Sequence, residues 1–93
     1  MSTANRVWVA DDEKSIRWVL DKALSKEGIS VTCFESAEAL LTEIDSGQPD
    51  VVVSDIRMGG MDGLALLSRL REQHPDVPVI VMTAHSDLDS AVA

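Results

Sequence analysis

The chain has 93 residues, of which 16 are acidic and 8 are basic, so its formal net charge at pH 7 is −8. Hydrophobic residues make up 45% of the sequence and charged residues 26%, which is typical of a single folded domain and excludes a disordered chain. Direct contact with nucleic acid is disfavoured, because the domain has a negative net charge and its basic residues are scattered rather than clustered. The apolar runs are far shorter than the roughly 18 residues that a membrane helix needs, and no secretory signal is recognisable. The single cysteine, Cys33, suits a reducing cytoplasm, where we expect the protein to be located.

Four short apolar runs predict β-strands. The run at residues 6–10 is rich in β-branched and aromatic residues and ends at an acidic cluster. Residues 29–34 alternate apolar and polar side chains, which predicts a strand covered on one face. The runs at residues 51–53 and 77–82 do not alternate, as expected of strands buried on both faces. Pro78 lies at the start of the last run, where the missing N–H donor costs least.

Apolar residues at helical spacing follow these strands. The first helix begins at Ser15, the second is capped by Ser36, and the third ends at Pro75. Ser86 and Asp89 fit a capping box for a fourth helix. The predicted apolar faces of the first three helices are, in chain order, Ile16, Val19, Leu20, Ala23 and Leu24; Ala37, Leu40, Leu41 and Ile44; and Leu64, Leu67, Leu70 and His74.

This alternation of strands and helices predicts an α/β fold with a doubly wound parallel sheet. In such a sheet the functional crevice lies beyond the carboxyl ends of the strands. Asp11 and Asp12 follow the first strand, Asp55 ends the third, and Thr83 ends the fourth. If the first and third strands are neighbours, the three carboxylates therefore converge in one pocket.

Three unpaired carboxylates in one pocket repel one another unless a cation neutralises them. Because the ligands are all oxygen, the pattern favours Mg²⁺. Mg²⁺ beside an ionised carboxylate indicates phosphoryl transfer, and Asp55, followed by a glycine-containing loop, is the predicted nucleophile. Thr83 would donate its hydroxyl hydrogen to a phosphoryl oxygen.

At these residues the sequence resembles the receiver domains of bacterial two-component response regulators, and within that family it is most similar to the nitrogen regulators. The segments that carry the resemblance are Asp11-Asp12, Asp55, Thr83-Ala84, SIRWVL at 15–20, SDIRM at 54–58, GMDGLALL at 60–67 and MTAHSDLD at 82–89. The resemblance implies a flavodoxin-like receiver fold with strand order 2-1-3-4. It also implies a phosphoacceptor switch, not a classical enzyme, that controls transcription through domains outside this chain.

The resemblance further implies a role for each site residue. Asp55 would accept a phosphoryl group from a phosphohistidine on a sensor histidine kinase. Mg²⁺ would be bound by Asp12, Asp55 and the backbone carbonyl of Arg57, with Asp11 nearby. Thr83 would be the switch hydroxyl that moves the region after the fourth strand.

Two departures from the family pattern stand out. The chain has Gly59-Gly60 where the family usually has proline before glycine, which loosens the backbone beside the metal. The family also continues into a fifth strand, which ends in a lysine that contacts the phosphoryl group, and a fifth helix. Residues 1–93 would thus form a receiver domain that is incomplete at its C-terminus. The fourth strand would become an uncovered edge, which predicts self-association or domain exchange.

Other functions fit the sequence less well. A haloacid-dehalogenase-like phosphatase would have D-x-D, but Arg57 stands two residues after Asp55. A nucleotide-binding domain would have a glycine-rich turn where this chain has Asp-Asp-Glu. The remaining alternative is a receiver-like interaction or oligomerisation module that is not phosphorylated. Trp18 lies opposite the apolar face of its helix, where it is either simply exposed or docks a partner.

Overall fold

The protein alternates strands and helices from its first described residues onward. The structure, a computed structural model, describes residues 5–82. The elements are β1 (Arg6–Ala10), α1 (Lys14–Lys26), β2 (Ser30–Phe34), α2 (Ala37–Ile44), β3 (Val51–Asp55), α3 (Gly63–Gln73) and β4 (Val79–Met82). These elements confirm the predicted order of four strands and the first three helices. Thr83 and the predicted fourth helix lie outside the described residues.

The four strands form one parallel sheet in the order β2-β1-β3-β4, as predicted. β1 pairs with β2 through Ala10 and Phe34, and with β3 through Ala10 and Ser54. The ladder continues past β1, because the Asp11 N–H donates to the Phe34 carbonyl over 3.1 Å. The carboxyl ends of β1 and β3 therefore lie side by side, and the residues that follow them meet at one edge of the sheet.

The main core fills one face of the sheet beneath α2 and α3. Its buried members are Trp8, Ala10 and Val52 from the sheet, Ala37, Leu40 and Ile44 from α2, Leu66 and Leu70 from α3, and the loop residues Met58 and Val77. The Trp8 and Phe34 rings pack at a tilt, with centroids 5.1 Å apart. Because full burial of one such apolar side chain contributes about 1.5–3 kcal/mol, this layer is the principal source of stability in the described fold.

The buried face of α3 differs from the predicted one. Its buried residues are Gly63, Leu66 and Leu70, whereas Leu64 is 53% exposed. Leucines at positions 64, 66, 67 and 70 are compatible with two rotations of the helix about its axis. Packing of Gly63 against the end of β3 selects the rotation that buries Leu66.

The predicted spacing of apolar residues along α1 is confirmed by the helix, but these side chains are less buried than expected of an apolar face. No α1 side chain is buried, and Val19 is 52% exposed. The physical reason is that α1 packs against β2 and β1, on the opposite face of the sheet from the main core, and leaves part of its own apolar stripe open. Trp18 is 62% exposed, as its position opposite the stripe predicted, and the Lys22 ammonium lies 5.7 Å from its ring centroid.

The prediction that β3 and β4 are buried on both faces is also wrong. Val51 and Val53 are only half-buried, and Ile80, the partner of Val53 in the ladder, is 55% exposed. Within residues 5–82, β4 lies at the edge of the sheet, and the side chain of Ile80 is exposed because it lies on the face that α1 covers mainly over β2 and β1. The same edge position was expected from the sequence.

No helix within residues 5–82 has the length and apolar character needed to cross a membrane.

Candidate functional site

Three aspartates meet beyond the carboxyl ends of β1 and β3. Asp11, Asp12 and Asp55 each offer a carboxylate oxygen, and these three oxygens lie within 4.8 Å of one another. Asp11 is buried, Asp55 is half-buried and Asp12 is exposed. The convergence expected from the sequence is therefore present, although Asp12 and Asp55 are more than forty positions apart.

The strand register places these carboxylates together. Ala10 and Ser54 are paired across β1 and β3, and both are fully buried. The Ser54 hydroxyl donates to the Asp55 carbonyl oxygen over 3.0 Å, so its polar group is satisfied inside the fold. Because both strand ends are held by buried residues, Asp11 and Asp55 occupy defined positions.

Asp11 is the buried member of the cluster. It is only 2% exposed, and its Oδ1 accepts a hydrogen bond from the Glu13 N–H over 2.8 Å. Burial raises the pKa of Asp11 above its usual value, and the charges of Asp55 and Asp12 raise it further, against the lowering effect of the Glu13 N–H. A charged Asp11 is consequently costly in the absence of a neutralising cation.

Arg17 supports the connection that carries Asp11 and Asp12. Its Nη1 donates to the Asp11 carbonyl oxygen over 2.7 Å, and its own backbone N–H donates to the Glu13 carbonyl. This guanidinium holds the end of β1 against the first turn of α1. Arg17 was not singled out from the sequence; its position as a basic residue one helical turn after the acidic cluster was the available signal.

The loop between β3 and α3 is held to the rest of the site by carboxylates. Asp12 Oδ2 accepts from the Gly59 N–H over 3.2 Å, and Asp55 Oδ1 accepts from the Arg57 N–H over 3.3 Å. Glu38, at the start of α2, accepts from the Met61 N–H over 3.1 Å. The sequence analysis missed Glu38, because nothing in the chain pattern links it to a loop 23 residues away.

Gly63 brings the start of α3 against the end of β3. A Cβ at this position would clash with the Asp55 carbonyl oxygen and lie 2.8 Å from the Ile56 Cα. The Gly63 N–H also donates to the Ile56 carbonyl over 3.1 Å. Sequence reasoning included Gly63 in a motif but did not identify this close approach of two backbones.

The donor set of the cluster fits a hard divalent cation. Carboxylate oxygens without a nearby imidazole or thiolate in the described residues match the preference of Mg²⁺ over Zn²⁺. A dication would also offset the mutual repulsion that raises the pKa of Asp11. The Arg57 carbonyl stays a predicted ligand, and Thr83 lies outside the described residues.

Removal of the Asp11 charge is expected to stabilise the metal-free protein. In the presence of a chelator, Asp11→Asn should raise the free energy of unfolding by about 1 kcal/mol, since it removes a desolvated charge and keeps an oxygen that can accept from the Glu13 N–H. Urea unfolding measures the change, and Asp76→Asn, at an exposed position, controls for net charge. A destabilised Asp11→Asn variant would contradict this electrostatic reading of the site.

Comparison with protein families matches residues 7–93 to the response regulator receiver domain. The DNA-binding transcriptional regulator NtrC of Salmonella typhimurium is 58% identical over 87 residues, which are 94% of this chain and 19% of that protein. The C4-dicarboxylate transport transcriptional regulatory protein DctD of Rhizobium meliloti is 39% identical over 92 residues, which are 99% of this chain and 20% of that protein. The chain thus spans about a fifth of the length of these relatives.

Solved structures are similar over nearly the whole chain. The apo form of the NtrC receiver domain superimposes with a TM-score of 0.79 at 57% identity, covering 95% of this chain and 71% of that one. The BeF₃-activated NtrC receiver domain superimposes with a TM-score of 0.77 at 55% identity, and the match covers 98% of this chain and 73% of that chain. NtrX from Brucella abortus superimposes with a TM-score of 0.85 at 36% identity, and the match covers 97% of this chain and 21% of that chain. The flavodoxin-like fold that the sequence resemblance implied is therefore confirmed.

Proposed function

The chain belongs to the family of response regulator receiver domains, and on that basis we propose that Asp55 accepts a phosphoryl group from a sensor histidine kinase. The observation that carries this proposal is the convergence of Asp11, Asp12 and Asp55 beyond β1 and β3. Residues 1–93 then act as a phosphoacceptor switch.

The proposed reaction uses the Asp55 carboxylate as the nucleophile. A bond forms between an Asp55 carboxylate oxygen and phosphorus, while the bond from phosphorus to the kinase imidazole nitrogen breaks and that nitrogen takes up a proton. A carboxylate nucleophile needs no general base, because its attacking oxygen carries no proton that must be removed. Positioning and charge neutralisation carry most of the catalysis.

Asp12, Asp55 and the Arg57 carbonyl are the proposed Mg²⁺ ligands, with Asp11 beside them. When bound, the ion supplies positive charge that offsets the carboxylates and the phosphoryl oxygens. The exposed Asp12 keeps one side of the cluster open to solvent, and the half-buried Asp55 is also partly accessible. Both can therefore be reached by an incoming phosphodonor.

The output of the switch is a shift between two conformational states. In this proposal the Thr83 hydroxyl donates to a phosphoryl oxygen and draws the region after β4 toward the site. That change controls transcription, in a nitrogen-regulation context, through domains outside this chain. The proposed location is the cytoplasm, and neither a membrane nor nucleic acid is a direct partner of this segment.

Exposure to a small-molecule phosphodonor tests the proposal. With Mg²⁺ present, intact mass spectrometry should show the gain of one phosphoryl group; with a chelator in place of Mg²⁺, the gain should be strongly reduced. The absence of any gain at high donor concentration would instead support the alternative, a receiver-like interaction module that is not phosphorylated.

The exposed edge strand favours that alternative as a second candidate function. Ile80 is 55% exposed on β4, next to the half-buried Val53. An apolar edge of this kind can pair with a second chain. Self-association through β4 predicts a dimer in sedimentation that Ile80→Lys disrupts, and a monomeric parent chain would contradict it.

A further inference from the structure

A backbone hydrogen bond connects the β3–α3 loop to the exposed aspartate of the acidic cluster. The Gly59 N–H donates to Asp12 Oδ2 over 3.2 Å, across 47 positions of the chain. Proline at this position would have no N–H to donate, so the contact with Asp12 requires a residue other than proline at position 59.

A donated N–H and a bound cation compete for the same negative charge. The partial positive charge on the Gly59 hydrogen makes the electrostatic potential at the Asp12 carboxylate less negative, and a dication placed beside that carboxylate would be repelled by the hydrogen. Asp12 is the exposed member of the cluster, so the site can be entered from its side. The hydrogen bond thus engages one oxygen, Oδ2, of the most exposed carboxylate in the cluster.

The remainder of the loop is anchored independently of Asp12. The Met61 N–H donates to Glu38 Oε2, and the Gly63 N–H donates to the Ile56 carbonyl. Gly60, between the two carboxylate contacts, adopts a φ of +75°, a conformation that glycine reaches without strain. Release of Gly59 from Asp12 can therefore occur without loss of the contacts at residues 61–63.

We infer that the Gly59 N–H is a gate on the metal site: it binds Asp12 in the metal-free protein and is displaced when a divalent cation binds. The gate rests on the proposed function in one respect, since it requires Asp12 to contribute to Mg²⁺ binding. It makes Mg²⁺ affinity depend on the loop conformation, so that a partner that moves the loop away from Asp12 strengthens Mg²⁺ binding.

Two substitutions at Gly59 distinguish the effect of losing the N–H donor from the effect of adding a side chain. Gly59→Pro removes the N–H, whereas Gly59→Ala retains it, and a Cβ at this position meets nothing within 4 Å. Isothermal titration calorimetry with Mg²⁺ should show about fivefold tighter binding for Gly59→Pro and a change of less than about twofold for Gly59→Ala. Equal affinity in the parent and the proline variant, or an equal shift in both variants, would overturn the gate.

Amide exchange in the parent chain tests the gate even if the proline variant does not fold. The Gly59 amide should exchange with solvent faster after Mg²⁺ is added, while the Met61 amide, held by Glu38, should keep its rate. An unchanged or slower Gly59 rate in Mg²⁺-bound protein would refute displacement. Failure of the parent chain to bind Mg²⁺ at all would overturn the metal site itself, an outcome distinguishable from Mg²⁺ binding that leaves Gly59 in place.

Discussion

Asp55→Asn is expected to reduce phosphoryl uptake from a small phosphodonor to background. The carboxamide is neutral, so it offers a far weaker nucleophile than the carboxylate, and it cannot form the acyl phosphate of the proposed reaction. An amide oxygen at this position can still accept from the Arg57 N–H, so the local backbone contact can persist. Intact mass spectrometry after incubation with donor and Mg²⁺ measures the loss.

Asp76→Asn provides the matched control for this substitution. Asp76 is exposed and lies between α3 and β4, outside the acidic cluster, and its replacement removes the same charge from the chain. The control variant should accept a phosphoryl group as the parent does. Persistent phosphorylation of Asp55→Asn would show that another residue is the acceptor.

Gly63→Ala is expected to destabilise the fold by about 3 kcal/mol or more. The added methyl group would clash with the Asp55 carbonyl oxygen and the Ile56 Cα, and these backbone atoms cannot rotate away as a side-chain end can. Relief would require α3 to move off the end of β3, which would also loosen the packing of Leu66. Urea unfolding followed by circular dichroism measures the change.

Gly47→Ala tests whether this cost is specific to Gly63. A Cβ at Gly47 would lie 3.8 Å from the Arg6 guanidinium, an ordinary contact, and Gly47 is not among the glycines with positive φ. The control should therefore leave stability within about 1 kcal/mol of the parent or increase it slightly. Comparable stability of the two variants would show that the α3–β3 junction is more compliant than its geometry indicates.

The sequence allowed the strands and the acidic cluster to be predicted because local chemistry determines both. β1 was predicted at its observed bounds, since its apolar run stops abruptly at Asp11. Asp55 could be placed in the same way at the end of a valine run. The residues alone left the pairing of β1 with β3 as a condition, and the resemblance to receiver domains implied it; the observed strand order confirms that pairing, which brings the carboxylates together.

Features set by tertiary packing could not be predicted in this way. The rotation of α3 depends on how closely Gly63 approaches β3, which the spacing of the leucines does not reveal. The contacts from Glu38 to Met61 and from Asp12 to Gly59 join residues far apart in the chain and depend on the path of one loop. The exposure of Val19 on α1 likewise depends on what covers that face of the sheet, which periodicity alone does not specify.

The unequal environments of the two tryptophans give the protein a built-in optical sensor for contacts on α1. Trp8 is enclosed beside Phe34, whereas Trp18 stands in solvent under the Lys22 ammonium. A neutral quencher such as acrylamide therefore reaches the emission of Trp18 and spares that of Trp8. A protein that docks on α1 would shield Trp18, so acrylamide would quench its fluorescence less. Binding could therefore be detected without an attached label.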